Sequence, residues 1–309
     1  MSLTAPTPSA LKMAADTVRK GGVVVIPTET VYGLACDALQ SKAVHRVYEI
    51  KGRPADNPLI VHVCSIDQAK TLTTDWTETA DKLARAFWPG PLTLVLQKSK
   101  IVPAATTAGL STVAVRMPRH HVCRALIEAC GVPLAAPSAN VFMGLSPTRA
   151  DHIDPEILVE VDIILDGGPC EIGLESTVLD VSGANPRVLR PGAISRAQIQ
   201  AVLGRPLGDT PPGDARRSPG MYPRHYAPRA SLKVVETAPS HEPGLVFTDA
   251  KNEAQVRMPR DPAAYGSGLY SALRRLDQAG HEVIYVERPP QSADWEAVND
   301  RLKKASGSG

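Results

Sequence analysis

The stretch GGVVVIPTETVYGL, residues 21–34, decides the fold class. Gly21-Gly22 ends a short helix read over residues 11–20, and Val23-Val24-Val25-Ile26 is a β-branched run that Pro27 stops. Such a run, bounded by glycine and proline, reads as a buried strand. The hydroxyls and carboxyl of Thr28, Glu29 and Thr30 follow at its end. Polar groups at a strand end can cap a turn or hold a small polar ligand.

The same pattern recurs outward from this segment. Residues 41–50 read as a helix with Ala43, Val44, Val47 and Ile50 on one face, and residues 59–63 as a strand. A helix over 78–87 is terminated by Pro89-Gly90-Pro91. Strands fit 92–96 and 113–117, a helix fits 121–130, and further strands fit 132–136, 162–166, 176–181 and 187–190. Strands and helices intermix without regular alternation, so the expectation is a mixed α/β domain over residues 1–204 with parallel and antiparallel pairs. Residues 205–230 are rich in Pro, Gly and Arg and read as a linker, long enough to be a candidate active-site lid. Residues 231–309 read as a small α/β domain. It has strands at 232–235, 245–248 and 283–286, helices at 263–279 and 293–305, and a loose tail.

With 309 residues, 43% hydrophobic, the chain has ample material for a core. A formal net charge of +2 argues against a nucleic-acid coat or a polybasic membrane binder. Five cysteines form no C-x-x-C pair, which disfavours a disulfide framework or zinc site and suits a reducing cytosol. Neither a secretory signal nor an apolar run of membrane-spanning length is read, so no membrane association is expected. P-loop, G-x-G-x-x-G and G-x-S-x-G patterns are missing, and the histidines lack metal-site spacing.

What remains is a set of strand-end segments carrying hydroxyls and cations. Lys51-Gly52-Arg53 lies between a helix and a strand in a loop stiffened by Pro54 and Pro58, and suits a polyphosphate as well as a solvated basic turn. In residues 111–118, alternation puts Thr112, Ala114 and Arg116 on one face. An arginine buried there needs an anion, either a substrate carboxylate or an internal Asp or Glu. Small residues at 135–140, around Ser138, allow close approach of a ligand to the backbone. Residues 173–177 and 189–192 add Ser176 and Arg190. Together they suggest a pocket for a polyanion and a small zwitterion.

Taken in order, PTETVYGL (27–34), KGRPADNPLIVH (51–62), WPGPLTLVL (88–96), VAVRMP (113–118), APSAN (136–140), GLESTV (173–178) and LRPG (189–192) resemble the threonylcarbamoyl-AMP synthases of the YrdC-like family. SPGMYPRHYAP (218–228), LYSALRRLD (269–277) and DRLKKA (300–305) resemble its longer, two-domain form. Two departures are Tyr222-Pro223 where a basic residue is common, and a shorter second domain.

The resemblance implies a YrdC-like twisted mixed sheet with flanking helices and a small Rossmann-like second domain. It implies synthesis of L-threonylcarbamoyl-AMP from L-threonine, bicarbonate or CO2, and ATP with Mg2+, in the cytoplasm. A downstream tRNA threonylcarbamoyl-transfer complex would use the product, with weak tRNA binding by this chain. Arg53, Asn57, Thr112, Ser138, Ser146 and Arg190 would hold ATP, helped by Lys51. Lys51 and Arg53 would be the catalytic cations. His225 or Tyr226 would bring the linker over the nucleotide. Thr30, His62, Arg116 and Ser176 would hold threonine, with the backbone of Ala136, and no side chain is assigned to metal. The alternative is a double-stranded RNA or tRNA-binding module without catalysis, and a third reading uses carbamoyl-phosphate.

Overall fold

The computed structural model describes residues 3–208 and 224–307. Residues 209–223 of the expected linker and the last two residues of the tail lie outside the described residues. Helix α1 (Pro8–Arg19) begins where the Thr7 hydroxyl accepts from the Ala10 amide at 3.2 Å, with Pro8 in the first turn. Strands β1 (Val24–Ile26) and β2 (Gly33–Asp37) form an antiparallel pair around the Thr28 turn. Helix α2 (Ser41–Lys51) ends on Gly52, whose φ of 58° lets its amide reach back to the Tyr48 and Glu49 carbonyls. Then follow β3 (Ile60–His62), α3 (Ile66–Thr71), α4 (Glu78–Phe87), β4 (Leu92–Gln97), β5 (Thr112–Arg116), α5 (His121–Cys130) and β6 (Leu134–Ala135). The domain is completed by α6 (Pro155–Leu158), β7 (Ile163–Ile164), β8 (Thr177–Asp180), β9 (Arg187–Arg190) and α7 (Arg196–Leu203).

These strands make one nine-stranded sheet in the order β7-β1-β2-β6-β3-β5-β4-β8-β9. Parallel contacts at β7/β1, β3/β5 and β4/β8 alternate with antiparallel ones, the mixture the irregular element order predicts. Helices α1 and α5 cover one side through Ala14, Val18, Leu126 and Ile127. The larger cluster on the other side gathers Val44, Val47, Leu83, Leu94 and Ile157. Strand β2, GLACD, escaped the sequence reading because it carries no β-branched run. All five of its residues are buried, so no polar alternation marks it either. Helices α3, α6 and α7 escaped through shortness. The strand expected at 132–136 keeps ladder bonds only at Leu134–Ala135.

The second unit has β10 (Ser231–Val235), β11 (Gly244–Val246), β12 (Gln255–Arg257), α8 (Pro262–Gln278), β13 (Val283–Glu287) and α9 (Glu296–Ser306), preceded by a 3-10 turn at Ala293–Trp295. Its sheet, β10-β13-β11-β12, is parallel throughout. Its core extends into the first unit: Val31, Leu145 and Leu174 pack in one cluster with Tyr226, Leu269, Tyr270 and Val298. Polar contacts cross the same boundary, from Arg274 to Asp154 (3.0 Å) and from Ser267 to the Glu171 carbonyl (3.1 Å).

Gly173 sits at this boundary with φ +70°, and a Cβ there would lie 2.6 Å from the Ser267 carbonyl oxygen. Gly173→Ala therefore meets both a backbone clash and the left-handed penalty. The expected loss is about 1–3 kcal/mol, read as a lowered urea midpoint with unchanged slope.

Candidate active site

Strand ends converge on a cleft at one face of the large sheet. After β1, the Thr28 hydroxyl accepts from the amides of Thr30 (3.1 Å) and Val31 (3.2 Å) and contacts the Thr30 hydroxyl at 2.8 Å. This local turn explains the Thr-x-Thr spacing and aims Thr30 at the sheet. The parallel register of β3 and β5 sets His62 beside Arg116. Strand β8 begins just after Ser176, and β9, antiparallel to it, ends at Arg190. The arginine returns to the serine, with Nε and Nη2 donating to the Ser176 carbonyl at 3.1 and 3.0 Å. Gly192 permits this approach, since a Cβ there would lie 2.3 Å from the Thr177 amide.

The cleft's open space is about 520 Å³, counting the solvent in its mouth. Of the residues expected to hold threonine, Thr30, His62, Arg116, Ala136 and Ser176 all line it. Of those expected to hold the nucleotide, Arg53, Ser138, Arg190, His225 and Tyr226 line it as well. Lys51, Asn57, Thr112 and Ser146 do not. Lys51 is turned inward, donating to the carbonyls of Ser138 and Asn140, both at 2.5 Å. Burial, then neighbouring Arg53, push its pKa well below the usual lysine value. It thus shapes the turn that presents Ser138. The Asn57 side chain is buried with neither amide atom hydrogen-bonded among the described residues. Thr112 shares the face of Arg116 but lies four residues away, about 13 Å along the strand. Ser146 donates to Glu175 at 2.6 Å.

Arg116 is 3% exposed, and its anion is internal: Glu29 lies 2.7 Å from Nη2. Its Nη1 donates to Thr30 (2.9 Å) and its Nε to the Gly90 carbonyl (3.2 Å), so the guanidinium plane is fixed from three sides. Burial alone would raise the Glu29 pKa, but Arg116 outweighs it and holds the carboxyl below its usual range. His62 is driven to about 3 by burial and Arg116, so its imidazole is neutral; its Nδ1 has no partner among the described residues. His225 is also held at about 3, by burial first and then by Arg53, Lys51 and Arg190, despite the opposing pull of Glu175.

Sequence reasoning named Glu29 as a strand-end polar group and an internal Asp or Glu as one possible partner of Arg116, without joining the two; Glu175 it passed over. Glu175 is held by Ser146, Tyr270 and Arg301; burial would raise its pKa, yet Arg301 and Arg190 bring it to about 2. Tyr270 and Arg301 come from the second unit, which no spacing in the first could indicate.

A mixed α/β fold thus brings buried cations and hydroxyls from several strand ends around one cleft. Residues 16–192 match the family described as "Telomere recombination", and residues 194–307 match "Threonylcarbamoyl-AMP synthase, C-terminal domain". The chain is 41% identical to the threonylcarbamoyl-AMP synthase of Pyrococcus abyssi over 96% of its length and 94% of that protein's. To the Bacillus subtilis enzyme of the same name it is 40% identical, covering 96% and 93% of the two chains. The crystal structure of P. abyssi Sua5 complexed with L-threonine superposes with a TM-score of 0.88 at 40% identity, covering 96% of this chain and 94% of that one. The chain belongs to the threonylcarbamoyl-AMP synthase family.

Folded His62 and His225 resist protonation that the unfolded chain accepts near pH 6.5, so the unfolded state binds more protons below that pH. Stability should therefore fall as pH drops from 6.5 toward 3, by about 1.4 kcal/mol per pH unit for each histidine. The two carboxylates act in the same direction below about pH 4.5. Urea titrations between pH 7 and 5 should show the decline, with His62→Gln about half as steep; equal slopes would place the proton elsewhere.

Proposed function

We propose that this chain makes L-threonylcarbamoyl-AMP from L-threonine, bicarbonate or CO2, and ATP, with release of pyrophosphate, for threonylcarbamoyl-adenosine modification of tRNA. The observation that carries the reading is one cleft that gathers Arg53, Arg116 and Arg190 with Thr30, His62, Ser138 and Ser176. Arg116, Thr30 and His62 are taken as a first group and Arg53, Ser138 and Arg190 as a second, with Ser176, which accepts from Arg190 at 3.1 Å, where the two meet. The first suits an amino acid: Arg116 meets the carboxylate, and the adjacent hydroxyls and imidazole meet the amine and side-chain hydroxyl. The second suits the phosphates, with Thr112 and Asn57 toward the outer parts of the nucleotide.

The threonine amine attacks CO2 to give a carbamate. A carbamate oxygen then attacks the α-phosphorus, and pyrophosphate leaves. The chain's task is alignment and stabilisation of charge on the phosphates. The amine must lose its proton to solvent before attack, since His62, held far below its usual pKa by burial and Arg116, is too weak a base to keep it. Arg53 faces the phosphates, while Lys51 acts at one remove by holding the turn of Ser138. Among the described residues no three His, Cys, Asp or Glu side chains cluster as a metal site. Mg2+ would be held by the ATP phosphates, where it would screen their charge.

The RNA-binding alternative fits poorly. Arg53, Arg116 and Arg190 are 7%, 3% and 3% exposed, enclosed in a cleft instead of spread over a surface that a duplex backbone can reach. Transfer of the threonylcarbamoyl group to tRNA is assigned to a separate complex, and weak tRNA contact by this chain would serve delivery. No described helix is long and apolar enough to cross a membrane, and the cytoplasm is the proposed location.

Labelled pyrophosphate should exchange into ATP only when threonine and bicarbonate are both present. Arg116→Ala should weaken threonine binding roughly 10- to 100-fold and ATP binding little, from loss of a charge-assisted contact. Arg53→Ala should do the reverse, and calorimetry with each ligand separates the two. Exchange supported by carbamoyl-phosphate in place of threonine, or equal loss of both ligands in both variants, would overturn the assignment.

A further inference from the structure

The proposed reaction uses the cleft's cations and hydroxyls but gives no role to Glu175, which stands on the wall of the same cleft and is 5% exposed. A carboxylate beside a triphosphate site is repulsive at low dielectric unless it is neutralised. Three donors converge on it: Ser146 (2.6 Å), Tyr270, whose single O–H lies 3.2 and 3.0 Å from the two oxygens, and Arg301 Nε (2.7 Å). Tyr270 lies on α8 and Arg301 on α9, both in the second unit.

Arg301 has further contacts. Its Nη2 donates to the Pro191 carbonyl at 3.0 Å, in the turn after Arg190. Its guanidinium lies 5.0 Å from the centre of the Tyr226 ring, and its Nη1 is paired with Asp300. One side chain thus joins the segment carrying Ser176, the turn carrying Arg190 and the linker aromatic that lines the cleft.

We infer that Arg301 is a positioning residue for the nucleotide half of the site: it neutralises Glu175 beside the phosphate-binding wall and fixes the turn that presents Arg190. The inference rests on the ATP reading of that half. It gives the second unit a task in the reaction without placing any of its atoms on the reacting groups. Without Arg301, a negative charge faces the incoming phosphates and competes with them for Arg190.

The test compares full-length wild type with Arg301→Met, Arg301→Lys and the double variant Glu175→Gln/Arg301→Met. The readouts are KM for ATP and for threonine in adenylate formation, and calorimetric binding of a non-hydrolysable ATP analogue. Arg301→Met should raise KM for ATP and weaken the analogue tenfold or more, with KM for threonine changed less than threefold. The double variant strands no charge, so it should fold and recover most of the ATP affinity. Arg301→Lys keeps the charge but loses the fork to Pro191 and Tyr226, and should fall between. A double variant as weak as Arg301→Met, or an equal rise in both KM values, would show that Arg301 only packs. Full analogue binding by Arg301→Met also overturns the inference while leaving the ATP reading standing. Wild type that binds no analogue sinks both.

Discussion

Removing a carboxylate and a guanidinium from water costs several kcal/mol per ion, and their mutual attraction offsets this only where the remaining donors and acceptors are also satisfied. Glu175 and Arg301 meet that condition between the two units, at 2.7 Å, with Tyr270 and Ser146 on the carboxylate and the Pro191 carbonyl and Asp300 on the guanidinium. Around them Val31, Leu174, Tyr226 and Val298 exclude solvent, which strengthens the pair and makes either partner alone intolerable. The second unit, the linker end and the LRPG turn therefore dock as one arrangement. An apolar interface of this size would give cohesion; the ion pair adds direction, because a forked donor accepts its partners in only one orientation.

The same logic, on a smaller scale, governs the other half of the cleft. Arg116 arrives with its own anion, Glu29, so that wall is close to neutral before any ligand binds. A zwitterion suits such a wall better than a free anion does, because its carboxylate finds a fixed donor and its amine sees the negative charge behind it. Across the cleft, Arg53 and Arg190 stand with Glu175, whose charge Arg301 offsets. The two buried carboxylates thus differ in which unit holds their partner, Arg116 of the first for Glu29 and Arg301 of the second for Glu175.

The large sheet was legible where β-branched runs meet prolines, as at Val23–Pro27 and Leu92–Leu96, and its mixed direction followed from irregular element order. Strand β2 was not, because burial on both faces removes alternation and GLACD contains no strong strand former. Within the site, polar residues at strand ends marked Thr30, Arg53, Arg116, Ser138, Ser176 and Arg190, all of which the fold brings to one cleft. Lys51 and Ser146 show the limit of that reading: a motif position fixes neither the rotamer nor the partner. Lys51 spends its donors on two carbonyls, and Ser146 on a carboxylate. Arg301 and Tyr270 lie more than 90 residues from Glu175 along the chain, and only the packing of α8 and α9 reveals their relation.

The cover over the cleft is built from neutral rings. Tyr226 adopts a left-handed backbone, φ 58°, which costs a tyrosine on the order of 1 kcal/mol. It is held there by the Ala227 amide bonded to the Met143 carbonyl (2.9 Å), by the ring of Tyr270 at 6.0 Å and by Arg301. The His225 ring lies 4.1 Å from it, tilted by 58°, and stays uncharged because burial and three nearby cations oppose its protonation. On the proposed ATP reading, a cationic group here would compete with Arg53 and Arg190 for phosphate and an anionic one would repel ATP; uncharged rings avoid both. The charge that fixes the cover is placed behind it, in Arg301, where it faces Glu175 and not the substrate.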